Sequence, residues 1–488
     1  MSYWYPQCSV ELRILPEDFK LTSDASLQSP VRVKVVARDV TVNVNDYKSS
    51  DTFSMEIDYK NFPFDPRTIR SCGVVIYLQD MQSLYKSDGS LNTIVPGAGT
   101  KLDSKVPNAV FIGFVDEEEI EFDDSKRTVK LTGRDSTALL IDQKYQTNSP
   151  IALNQPLDVA ITTLLSTFKA TAAIAVVNKT GGVLPTLAQY YPDFGSPLAG
   201  QKNVGKHESY WEIIQDMVSR SGLICFMSRA IQADGTLVPA LVLTTPKNQA
   251  TNTDDIKFIY GINIKSMHFK RKLGRFKGFN VQVRSRVGKT VLIAKIPEEA
   301  TQAWADSFGI QKIAQVVPVL KPDGSLDTST QQPAPYITFN VPNIADKDQL
   351  IRIGQTFYEQ YSLQQLEGNF ETHEMLGRGG TRASGLDAKK NYKQYDLTQI
   401  AKGQTICLEI DSDDLSEISR LASFNDRVNY LVHRNYSKDV ATIFAKTMGK
   451  FSPRFQIKSY SMTLNQDSGF KLDIHFQNII DISHRGIT

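Results

Sequence analysis

Long apolar runs are missing from the 488-residue sequence: no window approaches the ~18 residues that a membrane-crossing helix needs. The opening MSYWYPQCSV has no basic segment leading into an apolar stretch before its proline, so neither membrane insertion nor secretion is expected. Cysteine is scarce. Cys8, Cys72, Cys225 and Cys407 form no CxxC pair, the pattern of reduced, mostly buried thiols in a protein made in the cytoplasm. The six histidines, His207, His268, His373, His433, His475 and His484, include no HExxH and no pair at i, i+4, which excludes the usual helical metal motifs. No GxxxxGKS or GxxxxGKT phosphate cradle and no GxSxG nucleophile turn occurs. A formal net charge of +2 is nearly neutral for this length, so any charge-driven contact must be local. No catalytic residue, metal or cofactor is therefore expected.

What is present is globular: 41% hydrophobic and 22% charged residues, in a chain long enough for about two to four domains. The segment DTFSMEIDY alternates Phe53, Met55, Ile57 and Tyr59 with Thr52, Ser54, Glu56 and Asp58, the period of a strand with one buried and one wet face. NFPFDP ends it, because each proline removes a backbone donor. Further short strands, VRVKVVARDVTVNV, CGVVIYL, AVFIGFV and a hairpin of EIEF and RTVKLTG, make residues 1–147 a β region, with a twisted, closed sheet expected. Residues 148–255 change period. PLDVAITTLLSTF is helical, and so is SYWEIIQDMVSRSG, where Ser209 and Glu212 are spaced as a capping box, Trp211, Ile214 and Val218 form an inward stripe, and Gly222 suits a C-terminal cap. With the strands LICFM and ALVLTTP these helices predict a small α/β module.

A second β region follows over 256–370 and is completed by 371–488. FNVQVRSRV sets Phe279, Val281, Val283 and Val287 against Asn280, Gln282, Arg284 and Arg286; VLKPDGSLDTSTQQPAP reads as a loop; DKDQLIRIGQTFYEQY reads as a helix opened by Asp346. GRGGTRASG, at 377–385, predicts a mobile loop, 411–448 a polar, partly helical insertion, and FKLDIHF the last strand of a long hairpin. The fold class expected is β-rich α+β, multidomain, with two β portions bracketing an α/β module.

Two charge clusters stand out. VDEEEIEFDD carries seven carboxylates; the strand period places Glu119, Glu121 and Asp123 on a wet face opposite Ile120 and Phe122. A cell-wall hydrolase using Glu118, Glu119 or Glu121 is the enzymatic alternative, and a receptor- or glycan-binding module is a third reading. The segment 265–289 holds nine Lys or Arg and no acid, either a charged, solvated sheet edge or a contact for nucleic acid or an acidic protein face.

Taken in order, DTFSMEIDY, VFIGFVDEEEIEF, RTVKLTGRDSTALLID, SYWEIIQDMVSRSGLICFM, DKDQLIRIGQTFYEQY and the closing HFQNIID resemble the baseplate hub proteins of contractile-tailed phages, of the Mu-like tail hub and late control D type. The resemblance spans roughly residues 45–480 and lies in collinear order, each motif being degenerate. It implies two tail-tube-like β-barrels per chain and a homotrimer that imitates a six-membered ring. It also implies a structural, non-enzymatic role joining the tail tube protein to a central spike protein. Baseplate wedge and tape measure proteins are further implied neighbours, DNA passes only through the lumen, and the site of action is the virion tail after synthesis in the host cytoplasm. The chain ends without the OB-fold and β-helical needle of type VI secretion spike proteins, so a separate spike polypeptide is implied. On this reading Glu119, Glu121, Asp123, Gln282, Arg284 and Arg286 are candidate ring-interface or lumen-facing residues.

Overall fold

Seven strands form in the first β region: β1 (Pro6–Pro16), β2 (Val31–Ala37), β3 (Asp39–Val44), β4 (Thr52–Asp58), β5 (Ile69–Asp80), β6 (Ala109–Asp123) and β7 (Thr128–Asp135). The computed structural model describes residues 6–16, 31–80, 109–144, 154–167, 173–187, 209–231, 237–244, 256–260, 264–271, 279–363, 366–379, 393–410, 424–442 and 454–478, apart from isolated positions within those spans. In β4 the expected alternation holds: Phe53, Met55 and Ile57 are buried and Thr52, Ser54, Glu56 and Asp58 are half-buried. Tyr59 departs from it. The chain turns into a short 3-10 segment there, and the ring lies half exposed against Phe122.

The acidic strand departs from plain alternation too. β6 pairs with β7 as Val115↔Gly133 and then Ile120↔Leu131, so five steps on one strand oppose two on the other and three extra residues bulge between them. Gly113 and Gly133 allow the close crossing at this place: a Cβ on Gly133 would sit 2.0 Å from the Phe114 carbonyl oxygen, and one on Gly113 2.3 Å from that of Arg134.

The α/β module contains α1 (Thr137–Asp142), α2 (Leu157–Ser166), β8 (Ala175–Asn178), α3 (Tyr210–Arg220), β9 (Ile224–Ile231) and β10 (Leu237–Thr244). Its sheet runs β8-β10-β9, with β8 parallel and β9 antiparallel to β10. The capping box on α3 forms as its spacing predicts: the Glu212 amide donates to Ser209 Oγ at 3.2 Å and the Ser209 amide to Glu212 Oε2 at 3.2 Å. Trp211 is buried with Ile214 and Val218 in a core shared with Leu164 and Leu241. Gly222 lies outside the described residues.

After β11 (Ile256–Tyr260) and β12 (Ser266–Arg271) the chain builds a further unit from β13 (Asn280–Val287), β14 (Thr290–Ile296), α4 (Gln302–Phe308), β15 (Val316–Leu320), β16 (Leu326–Pro333), β17 (Tyr336–Asn340) and α5 (Lys347–Leu363). The FNVQVRSRV strand therefore lies in a three-stranded sheet, β14-β13-β17, and not in one with β4. Helix α5 explains this. Gly354 brings its backbone so close to the sheet that an added Cβ would meet Ile296 at 2.8 Å and Val283 at 3.1 Å, so a helix covers the apolar face. The polar stretch expected as a loop is largely the β15–β16 hairpin, its turn held by Asp323 Oδ1, which accepts from the Ser325 amide at 2.9 Å and hydroxyl at 2.6 Å.

The remaining strands are β18 (Leu366–Thr372), β19 (Leu376–Gly379), β20 (Lys393–Asp396), β21 (Thr405–Ile410), β22 (Arg454–Asn465) and β23 (Gly469–Asn478), with α6 (Phe424–His433) before β22. The start of GRGGTRASG belongs to β19, paired with β11 and β20; residues 380–392 lie outside the described set, as do 411–423 and 443–453.

One 15-stranded sheet joins both β regions in the order β2-β1-β5-β6-β7-β4-β3-β22-β21-β11-β19-β20, with β23, β18 and β12 branching from β22. Strand β22 is the junction. Its first residues pair with β21, Tyr460–Leu464 pair with Val40–Val44 of β3, and its other edge carries β23. The fold is β-rich and mostly antiparallel with few helices, and among the described residues no pairing closes either region into a barrel. Among those residues, too, no helix is long and apolar enough to cross a membrane.

Candidate functional site

Sequence reasoning offers two charged strands, and the structure keeps them in different sheets. On the acidic one, Glu121 is exposed and faces Lys130 across the hairpin at 3.6 Å. Asp123 serves its turn: Oδ1 accepts from Ser125 Oγ at 2.6 Å and from the Lys126 amide at 3.1 Å, and the Ser125 bond, then the Lys126 one, holds its carboxyl below the usual carboxylate range. Glu119 belongs to the bulge, and its side chain, like that of Glu118, lies outside the described set. Below the bulge Arg134 is a clamp. It donates to both carboxylate oxygens of Asp116 at 2.9–3.0 Å and to Asp142 of α1 at 2.8 Å, and these bonds raise its already high pKa. Glu121 and Asp123 each have a separate local partner, so they do not converge as a catalytic acid pair would. Phe122, expected inward, is half exposed because the sheet core ends at this rim and Tyr59 is its ring neighbour, 4.9 Å away.

On the basic strand Arg284 and Arg286 are exposed, on the face opposite α5. Gln282 shares that face but is buried, because the Arg284 guanidinium lies over it and donates to its amide oxygen. Asn280 is buried as well. Its Nδ2 donates to the Ala334 carbonyl at 2.9 Å and its Oδ1 accepts from the Gln315 amide at 2.9 Å, so it ties two loops to the start of the strand.

A third cluster had no sequence signal. Asp51, just before β4, Asp135, at the end of β7, and Lys402, in the turn before β21, meet at a cavity of about 260 Å³ also lined by Arg229, Phe226 and Tyr460. Lys402 Nζ is 3.4 Å from Asp51 Oδ1, donates to the Asp46 carbonyl at 3.2 Å and lies over the rings of Tyr47 and Phe226. Asp51 also accepts from the Asn45 amide at 2.8 Å, while Asp135 accepts from the Thr137 amide and hydroxyl, both at 3.0 Å. Burial raises the pKa of both carboxylates; Lys402 opposes the rise at Asp51, and the neighbouring Asp51 charge adds to it at Asp135. Because the cluster draws on β4, β7, the module and the C-terminal β region, it works as a polar bolt between them. Asp51 and Lys402 lie outside strands and Asp135 ends one, and nothing in their local sequence marks the three as partners.

The junction of the two β regions is itself polar on one face. Ser461 Oγ donates to Asn43 Oδ1 at 2.7 Å, and the Thr41 and Thr463 hydroxyls are 3.3 Å apart although 422 positions separate them in sequence. Buried Val42, Val44, Tyr460 and Met462 lie along the same ladder.

No protein-family model matches the chain, and neither does any curated protein. Solved structures do resemble it. A tail protein from Neisseria meningitidis is 12% identical over 96% of each chain with a TM-score of 0.49. The 43 kDa tail protein of prophage MuSo2 from Shewanella oneidensis is 12% identical over 96% of this chain and 98% of its own, with a TM-score of 0.47. Prophage tail protein gp18 from Listeria monocytogenes is 9% identical over 97% of this chain and 94% of its own, with a TM-score of 0.41. These three structural neighbours are tail proteins, two of them of prophages, and a component of the type VI secretion system is also among the similar structures.

Proposed function

We propose that the chain is a structural hub of a phage tail baseplate. It contributes two tube-like β portions to a trimeric ring that has three-fold symmetry below, toward a central spike, and approximates six-fold symmetry above, toward the tail tube. The domain limits are near residues 147, 255 and 370, the second β portion being completed after 371. The observation that carries the reading is the β3–β22 ladder, with five residue pairs from Val40↔Leu464 to Val44↔Tyr460. It sets the first and last β regions of one polypeptide edge to edge, so a single chain supplies two consecutive segments of a wall. Three such chains supply six. The collinear motifs of the sequence support the same reading, and Glu119, Glu121, Asp123, Gln282, Arg284 and Arg286 are its ring-contact or lumen-facing candidates.

The test is electron microscopy of the purified chain mixed with a tail tube protein from the same tail. Caps of three-fold symmetry on tube ends are expected. Tubes left bare, together with clearing of a cell-wall zymogram that Glu121→Gln abolishes, would replace the hub by a hydrolase.

A further inference from the structure

The β14-β13-β17 sheet is covered by α5 on one face only. Register defines the other face: Arg284↔Ile293 and Arg286↔Val291 on one side, and Arg284↔Asn340 on the other. It therefore presents two arginines checkered with two aliphatic side chains, Val291 55% and Ile293 38% exposed. Lys295 adds a third cation at its edge, over the ring of Tyr336, whose hydroxyl donates to Glu298. Arg286 is steadied by the Gly288 carbonyl at 3.3 Å and Arg284 by Gln282, and among the described residues neither has a carboxylate partner. Half-exposed aliphatics between steadied cations suit a partner that brings both apolar surface and carboxylates.

The same chain carries the complement. At the rim of the large sheet Tyr59 and Phe122, 45% and 46% exposed, pack ring to ring, beside Glu121, Asp58 and Asp123. The ion pairs already there, Glu121–Lys130 at 3.6 Å and Asp58–Lys60 at 3.9 Å, are long and exposed, so they compete weakly for the carboxylates.

We infer that the cationic face of β13–β14 in one copy binds the acidic, aromatic rim of the β6–β7 hairpin in a second copy. The two patches differ, so the contact is head to tail and generates a ring when its rotation closes. The inference rests on the reading of the chain as self-assembling and specifies the surfaces that do it. Apolar side chains supply the buried area, and opposite charge fixes which patches meet. A nucleic acid is the less suited occupant, because the projecting apolar groups of the face are Val291 and Ile293, which offer bases nothing to stack on.

The experiment is native mass measurement of the full chain across concentration and salt, for the wild type, for R284E/R286E and for D58R/E121R. Arg284, Arg286 and Glu121 are exposed on their strands and Asp58 is half-buried at the end of β4, and equal thermal unfolding of the variants verifies their fold. Assembly by the wild type, at least about tenfold weaker association for each variant, and recovery in the chain that carries both exchanges, which restores opposite charge at every contact of an odd-numbered ring, are expected. Assembly unchanged in both variants would overturn these surfaces and leave the hub reading standing. A wild type monomeric with and without tube protein would overturn the hub reading and the contact together. Retention of single-stranded DNA that R284E/R286E loses without any change in mass would assign the face to nucleic acid instead.

Discussion

In β4 the outward side chains Thr52, Ser54, Glu56 and Asp58 stay half-buried while Phe53, Met55 and Ile57 fill the core; in β13 the equivalent outward residues Asn280 and Gln282 are buried along with Val281 and Val283, and Arg284 and Arg286 are exposed. Both strands alternate in sequence. The difference arises beyond the strand: loop residues 315 and 334 fold back to bond Asn280, and Arg284 lies over Gln282. Alternation states which residues share a face, but what later covers that face depends on segments far along the chain. The same holds for Asp51, one residue before β4, which is buried because a lysine some 350 positions later reaches it.

Substitutions at these polar positions should therefore separate into strong and weak effects. The largest is expected at Lys402. Lys402→Met leaves Asp51 and Asp135 buried without their cation and should cost about 3–5 kcal/mol in denaturant unfolding, whereas a midpoint equal to wild type would mean the bolt carries no load. Asn280→Ala comes next. It strands the Gln315 amide and the Ala334 carbonyl in the interior, an expected loss of about 2–3 kcal/mol, against less than about 0.5 kcal/mol for Ser54→Ala on the wet face of β4. Equal effects at the two sites would erase the contrast between the strands.

Asp135→Asn tests the bolt through pH. The folded pKa of Asp135 is raised, so the native state holds a proton that the unfolded chain has released, and stability falls as pH rises from about 4 through the raised folded value. Each pH unit in that window removes at most about 1.4 kcal/mol. The asparagine variant, neutral throughout, should show a flatter stability profile than wild type, with Asp51 supplying the residual slope; parallel profiles would place the titration elsewhere. A small effect is also expected for Glu119, Glu121 and Asp123 all replaced by Gln. The Asp123 turn bonds and the exposed ion pairs Glu121–Lys130 and Asp123–Lys126 are lost from the described contacts, and the change in stability should stay within about 1 kcal/mol. Loss of the fold would show that the acidic rim is structural.

Much of the β-rich plan was legible because its signals are local: alternation at Phe53–Ile57, the capping box at Ser209–Glu212, and the helical stripe of Leu350 and Ile353. What escaped was non-local. Nothing in FNVQVRSRV distinguishes a strand covered by a helix from a strand in a barrel wall, since α5 lies more than sixty residues away and reaches it through Gly354. The bulge lies in the run of four acids, Asp116–Glu119, that interrupts the alternation, but only the register of β7 shows how many residues are extra. The charged candidates were found as charge, but their immediate partners, the Asp123 turn and the Arg284–Gln282 contact, depend on geometry that composition does not encode.

The central claim is that one chain supplies two adjoining β segments of a ring wall, and the number of copies in the assembled ring tests it most directly. Native mass measurement of the purified chain, on its own or bound to tube protein, should give three copies per ring. A ring of six copies, or one β segment contributed per chain, would contradict it.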